Sequence, residues 1–336
     1  MANGGIDRRQ FFINSFSASL DLPKKNARAL PSSQNYTFRL YPYGSVQFTD
    51  RRVSSPLSFA HVTDLHLTPY PAAQYPNPYR HAIEWWDLTF NRPHQVFPAL
   101  LRDISAAGVD FVFFGGDNID CYEPRIAQLI VNMANEYGLK VFLQSGNHDW
   151  EPMDMRYIHH MGIYNPALRT TTLRELCRYW NMPAPYYSFE LKGVRFIALD
   201  CPYMKGNNVY AGFFDEEQTD WFTDQLRYTG PIVVFSHIPF DRPTVEYRRN
   251  KVLGQGGCVA DDLNGRRILR AIEGCPNVLG TFTGHFHFRS EDEVGQSCQF
   301  MTAPASDGQW RYVKISRDPA PRSLRAAGAA EVFVER

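Results

Sequence analysis

The side chains that could do chemistry fall into five short groups. Asp64 and His66 form a D-x-H pair, and Asp117 follows two glycines in Gly115-Gly116-Asp117. Asn147, His148 and Asp149 belong to Gly146-Asn147-His148-Asp149. His237 follows Ser236, and His285 and His287 alternate in Gly284-His285-Phe286-His287. These are oxygen and nitrogen donors without a thiolate, a set that suits manganese, iron, zinc or cobalt and disfavours iron–sulfur chemistry. They are too many for one tetrahedral ion and enough for two. A two-ion site needs one group that touches both ions and holds them roughly 3.5–4 Å apart. A carboxylate is the side chain best shaped to do so. Asp117, on a Gly-Gly turn where the backbone can approach closely, is the candidate bridge.

Each group stands just past the end of an apolar run. The strands expected are Leu57–Thr63, Phe111–Phe114, Lys140–Gln144, Pro231–Phe235 and Asn277–Thr283. Between them the spacing predicts helices over Gln95–Ala107, Glu123–Tyr137, Glu216–Leu226 and Asp262–Ile272. Gly108 and Gly138 stop the first two. Asp215 is the expected N-cap of the third, with Gln218 placed for a capping box. Lys192-Gly193 predicts a hairpin between Tyr186–Leu191 and Val194–Leu199. An early strand pair is expected in residues 36–49, broken at Pro42–Gly44, and two closing strands near Gln299–Thr302 and Trp310–Ile315. Strands alternating with helices argue an α/β layered fold. In open α/β sheets ligands bind at the carboxyl ends of the strands, so five such ends would bring the polar groups together. Turn and capping preferences account for Asp, Asn and Gly-Asp at such places, but not for the histidines.

The rest of the composition narrows the setting. The chain has 336 residues, 44% hydrophobic and 14% aromatic, ample for a large core and against global disorder. Thirty-five basic residues balance thirty-five acidic ones, which gives no support for a nucleic-acid or polybasic membrane surface. No nucleic acid is expected as a partner, and no apolar run reaches the roughly 18 residues of a membrane span. Six cysteines without a C-x-x-C pair exclude a disulfide scaffold and a zinc knuckle. Residues 1–35 read as a flexible polar arm or an eroded export signal. Arg8-Arg9-Gln10-Phe11-Phe12 resembles a twin-arginine signal, but Asn14, Ser15, Ser17, Ser19, Asp21, Lys24 and Lys25 interrupt the apolar stretch it needs. Localisation stays open, with the cytoplasm favoured over twin-arginine-type export. Residues 36–336 read as a single domain with a Pro- and aromatic-rich insertion at 68–94. That insertion either packs on the body or forms an aromatic lid.

Taken together, D-x-H, G-D-N, G-N-H-D, a histidine after an apolar strand and G-H-x-H resemble the signature of the calcineurin-like metallophosphoesterases. The resemblance covers about residues 57–316. It implies an α/β fold, specifically a four-layer α/β/β/α sandwich around a two-metal centre. One ion would be held by Asp64, His66, Asp117 and His287, and the other by Asp117, Asn147, His237 and His285. His148 would stabilise or protonate the leaving oxygen, and Asp149 would orient it by a hydrogen bond. The implied cofactors are two divalent or trivalent ions, manganese, iron or zinc. The implied reaction is attack on phosphorus by a metal-bridging hydroxide without a covalent enzyme intermediate.

The motifs also separate branches. Purple acid phosphatases carry a tyrosine in G-D-x-x-Y, where this chain has Asp120. Protein Ser/Thr phosphatases carry G-D-x-V-D-R-G, from which Gly116-Asp117-Asn118-Ile119-Asp120-Cys121 departs at the arginine and glycine. Gly212-Phe213-Phe214-Asp215, Gln218, Trp221 and Leu226, ahead of His237-Ile238-Pro239, resemble the class III cyclic-nucleotide phosphodiesterases, with Phe222 in place of the usual leucine. The expected activity is therefore a phosphodiesterase or phosphomonoesterase on a small-molecule phosphate ester. The alternatives are a non-catalytic scaffold of the same fold and a nuclease of the same family. His61 is expected to be a satisfied core histidine, Phe286 to pack, and His159 and His160 to lie in a loop. No chemistry is assigned to Cys201.

Overall fold

Phe59, Phe111, Phe113, Phe196, Phe235 and Phe282 meet in one aromatic layer, and the two sheets that carry them frame the fold. The computed structural model describes residues 36–41, 44–68, 72–74, 80, 83–84, 87–150, 166–205, 209–241 and 263–318. The first sheet contains β1 (Tyr36–Leu40), β2 (Val46–Asp50), β3 (Leu57–Val62), β4 (Phe111–Phe114), β5 (Val141–Leu143) and β14 (Arg311–Ser316), ordered β1-β2-β14-β3-β4-β5. The second contains β6 (Tyr187–Leu191), β7 (Val194–Ala198), β10 (Ile232–Phe235), β11 (Val278–Thr283), β12 (Ser290–Val294) and β13 (Ser297–Met301), ordered β12-β13-β11-β10-β7-β6. A separate hairpin pairs β8 (Pro202–Lys205) with β9 (Val209–Gly212).

The period of two along a strand assigns its residues to opposite layers. In β4, Phe113 stacks on Phe235 of the other sheet with ring centroids 3.6 Å apart, while Phe114 turns outward against Phe97. Phe97 belongs to α1 (Pro93–Ala106), whose buried residues Phe97, Leu100, Leu101 and Ile104 follow helical spacing. α2 (Pro124–Glu136) buries Ile126, Ala127 and Ile130, and Ala127 accepts the Trp180 indole N–H just past α3 (Pro166–Tyr179). On the second sheet, Ile197, Ile232 and Val234 face outward into a cluster with Phe222 of α4 (Glu216–Gln225) and Ile268 and Ile272 of α5 (Leu263–Glu273). Helices therefore cover both outer faces of two packed sheets, the α/β sandwich expected.

What positions the site is strand direction. β3, β4 and β5 run parallel to one another, as do β7, β10 and β11. Their carboxyl ends open at one edge of the sandwich. Lys192 and Gly193 both adopt positive φ, 51° and 79°, the backbone a tight two-residue hairpin requires.

Several boundaries depart from the sequence expectation. α1 begins at Pro93, two residues early, because proline suits the first turn of a helix. The Asp215 carboxylate accepts the Gln218 N–H at 2.7 Å, as a cap should. The second half of the capping box is not made: the Gln218 amide instead clamps Asp200, accepting from its N–H and donating to its carbonyl. α3, the β8–β9 hairpin and β12 were not expected. α3 is mostly polar and β12 carries three acidic residues, so neither shows strong apolar periodicity. Residues 1–35, His81, Trp85, Trp86, His159 and His160 lie outside the described residues.

Candidate metal centre

Backbone hydrogen bonds continue past the strands and lock the loops that follow them. The Asp64 N–H donates to Gly116 O at 3.0 Å, and the His66 N–H to Asp117 O at 2.9 Å. The Gly284 N–H donates to His237 O at 2.9 Å. Other bonds cross between the sheets. His237 Nδ1 lies 3.0 Å from Gly115 O, and the His285 N–H reaches the Asp64 carboxylate at 3.0 Å. Glycine is required where these loops touch. A Cβ on Gly284 would stand 2.1 Å from Thr63 Oγ1 and 2.4 Å from Asp64 Oδ2.

Asp64, His66, Asp117, His285 and His287 all take positive φ, between 49° and 73°. Non-glycine residues rarely occupy this region, and the strain gathers where a surrounding network over-determines the backbone. Five such residues at one sheet edge turn their side chains toward a common point.

The side chains meet there. Ligand atoms of Asp64, His66 and His287 lie within 4.8 Å of one another, as do those of Asp117, His237 and His285, and those of His66, Asp117 and His148. Asp117 Oδ2 is central: 3.1 Å from His237 Nε2 and 3.9 Å from both His66 Nε2 and His148 Nε2. Asp64 Oδ1 stands 3.4 Å from His287 Nε2. His66 Nε2 and His287 Nε2 face each other at 3.0 Å.

The set fits metal ions. His237 Nδ1 is committed to a carbonyl and His66 Nδ1 to the Asp120 carboxylate at 3.2 Å. With Nδ1 the proton-bearing nitrogen, each can present its Nε2 to a cation. Asn147 Oδ1 is buried without a hydrogen-bond partner. An uncompensated buried acceptor is costly, and a cation would satisfy it.

The charges agree. Burial pushes the Asp64 carboxyl up, but His287 and His237 outweigh it and hold it at about 2. Asp117 is likewise held well below the usual range, burial being overcome by His237 and His148. Burial lowers His66 to about 4 and His285 to about 3, so both are neutral donors near pH 7. His237 runs the other way: burial lowers it, yet Asp117 and Asp64 raise it to about 9. In the protein alone, its proton answers part of the carboxylate charge that cations would answer.

All nine expected residues gather at this edge, but Asp149 does not do what was expected. Its carboxylate does not touch His148. It accepts the N–H groups of Asn118, Ile119 and Gly146 at 2.8, 2.9 and 2.6 Å, and the Asn118 side-chain amide at 3.3 Å. It is a buried buttress of the Asp117 and Asn147 loops. Burial and the charge of Asp117 raise it to about 7, against the pull of those N–H donors. The carboxylate beside His148 is Asp120, whose Oδ1 lies 3.1 Å from His148 Nδ1 as well as 3.2 Å from His66 Nδ1. Sequence reasoning missed Asp120. The available signal was its spacing, three residues after Asp117 on the same loop.

Other residues fall away from the chemistry. His61 Nδ1 pairs with Thr302 Oγ1 at 2.8 Å, but its buried Nε2 has no partner, so the ring is only half satisfied. Phe286 packs with Met301 and Phe288. The Cys201 thiol contacts Ser236 Oγ at 3.0 Å and is pushed by burial to about 11.

The sequence matches the calcineurin-like phosphoesterase family over residues 57–288. No curated protein matches. Among solved structures, the chain is similar to a dimetal phosphatase from Danio rerio, at 14% identity and a TM-score of 0.49, covering 78% of this chain and 93% of that one. It is also similar to a purple acid phosphatase from yellow lupin seeds, at 10% identity and a TM-score of 0.46, covering 82% of this chain and 49% of that one.

Proposed function

The chain belongs to the calcineurin-like phosphoesterases and is a metal-dependent phosphoesterase, and from that premise we propose that it hydrolyses a small-molecule phosphate ester, a diester or a monoester, at a centre of two ions. The observation that carries this reading is a chain of overlapping donor groups: Asp64–His66–His287 shares His66 with His66–Asp117–His148, which shares Asp117 with Asp117–His237–His285. Asp64, His66 and His287 would hold one ion, and Asn147, His237 and His285 the other, with Asp117 shared. Manganese, iron and zinc suit these donors. When bound, such ions supply Lewis acidity toward phosphoryl oxygens and an activated water.

The chain's own residues do the rest. His148 is left outside the two proposed ligand sets; its Nδ1 lies 3.3 Å from the Asp120 carbonyl oxygen and 3.1 Å from the Asp120 carboxylate. Its Nε2 lies on the side of Asp117, 3.9 Å from Oδ2, where it could pass a proton to the leaving oxygen. Asp120 orients the ring. Asp149 keeps the Asp117 and Asn147 loops at their spacing. Residues 36–336 act as one catalytic domain, with the 68–94 insertion beside the site.

The test is a substrate panel on the purified protein with added manganese, iron or zinc. Bis(p-nitrophenyl) phosphate, p-nitrophenyl phosphate and 3′,5′- and 2′,3′-cyclic nucleotides would be compared, with Asp117→Ala as control. Diester turnover that vanishes in the control supports the proposal. A folded, metal-loaded protein that turns over nothing in the panel refutes it.

A further inference from the structure

The ring of His66 is held on more sides than a ligand requires. Asp120 takes its Nδ1, and His148 and His287 meet its edges, with centroids 4.5 and 4.9 Å away. One face is covered by Phe90, whose ring lies parallel within 3° and 3.9 Å away. Phe90 comes from the 68–94 insertion, not from any strand end, and is buried. The geometry points to Phe90 as a positioning residue for the metal site that contains His66. This rests on the two-cluster reading above.

The segment that presents Phe90 is built for the purpose. Asp87 anchors it at both ends: its carboxylate accepts from Thr68 Oγ1 at 3.2 Å and lies 2.6 Å from His94 Nδ1. The Arg92 N–H closes back onto Asp87 O at 2.6 Å. Asn91 and Arg92 both take positive φ, 57° and 56°, a strained pair directly after Phe90. The Asn91 amide is tied across to Asp307. Residues 87–92 are thus pinned to the loop after β3, to the start of α1 and to the connection before β14. Phe90 is their inward point.

A single hydrogen bond fixes the tautomer of His66 but leaves the ring free to swing about that contact. A parallel ring removes the swing and holds Nε2 on its bearing toward His287. It also favours the bound state electronically. A cation on Nε2 withdraws charge from the imidazole, and an electron-poor ring stacks better on the negative face of a phenyl ring. Ion binding and stacking therefore strengthen each other. Groups that orient metal-binding histidines typically change metal affinity about 10- to 100-fold.

The test is metal titration, not turnover. Cobalt(II) added to the chelator-treated protein should bind in two steps, followed by its visible d–d absorption and by metal analysis. In Phe90→Leu, which keeps apolar bulk and loses the flat face, one step should weaken about tenfold or more and change its spectrum. The other step, through Asn147, His237 and His285, should stay. Phe90→Tyr should restore the parent affinity. Asn91→Gly keeps the backbone at ease with positive φ and cuts only the tie to Asp307, so it should weaken the same step several-fold. A folded Phe90→Leu with both steps unchanged overturns the inference. If Phe90→Leu does not fold, an unchanged first step in Asn91→Gly overturns it. Asp117→Ala separates the two claims: if it still binds two ions, the reading of the centre fails, whatever Phe90 does.

Discussion

A single methyl group at Gly146 should separate the two halves of the centre. A Cβ there would lie 2.2 Å from Asp117 Oδ1, 2.3 Å from the Asp117 backbone nitrogen and 2.8 Å from Asp117 Cγ. The carboxylate could turn away, but the backbone nitrogen cannot. Ordinary contacts for a carbon begin at roughly 3.5 Å, so in Gly146→Ala the loops after β4 and β5 must part by about 1 Å. That parting moves Asn147 from Asp117 and stretches the bond from the His148 N–H to Asp117 Oδ1, now 2.9 Å. A misplacement of about 1 Å is expected to cost on the order of 100-fold in kcat, and the overpacking about 1–3 kcal/mol of stability. Gly138→Ala is the control. Its φ of 69° makes alanine strained, but nothing lies within 4 Å of the added methyl. It should cost about 1 kcal/mol and leave kcat and metal content alone. Diester hydrolysis, metal analysis and thermal melts on the two variants decide the matter. Parent turnover with two ions retained in Gly146→Ala would refute the reasoning.

Asp120 and Asp149 should separate function from stability. Asp120→Ala removes the carboxylate that holds His66 Nδ1 and stands beside the His148 ring and should lower kcat about 100-fold with a small change in Tm. Asp149→Ala strands buried N–H donors and should cost several kcal/mol, read as a large fall in Tm. The reverse pattern would exchange their roles. Asp117→Ala should lose both ions, whereas His148→Ala should keep both and turn over at least 100-fold more slowly; equal metal loss in the two would sink the separation of ligand from proton donor. His61 supplies a pH test. Burial holds it at about 3 in the folded chain, below its ordinary 6.5, so between these values the unfolded chain binds more protons and stability rises with pH. Acidifying below pH 6.5 should therefore cost up to about 1.4 kcal/mol per pH unit from this ring. Urea melts of the metal-free protein should show a shallower pH slope in His61→Gln. Parallel slopes would refute it.

Residue types at the ends of apolar runs make the centre legible in the sequence. Asp64, His66, Asp117, Asn147, His237, His285 and His287 announce themselves because metal ligation needs particular atoms, and because a strand buried on both faces is a short, unmistakable apolar run. The order of the motifs then places their loops at one edge, since parallel strands end on the same side. Features with weaker periodicity stayed hidden, α3 and β12 among them.

Partnership was a different matter. Asp149 adjoins His148 in the chain, and Asp120 lies 28 residues away, yet Asp120 is the carboxylate beside the His148 ring. Adjacency in sequence does not set the direction in which a side chain leaves a turn; backbone dihedrals do, and five ligands here sit at positive φ, which Asp and His tolerate better than most residues but do not dictate. Phe90 is the extreme case. Its type says only that it packs, and nothing local says on what. The sequence alone determined which atoms could bind metal and on which strand ends they stand. The tertiary structure decided which carboxylate faces which histidine and which ring covers His66, because those pairings depend on loops packing across the gap between two sheets.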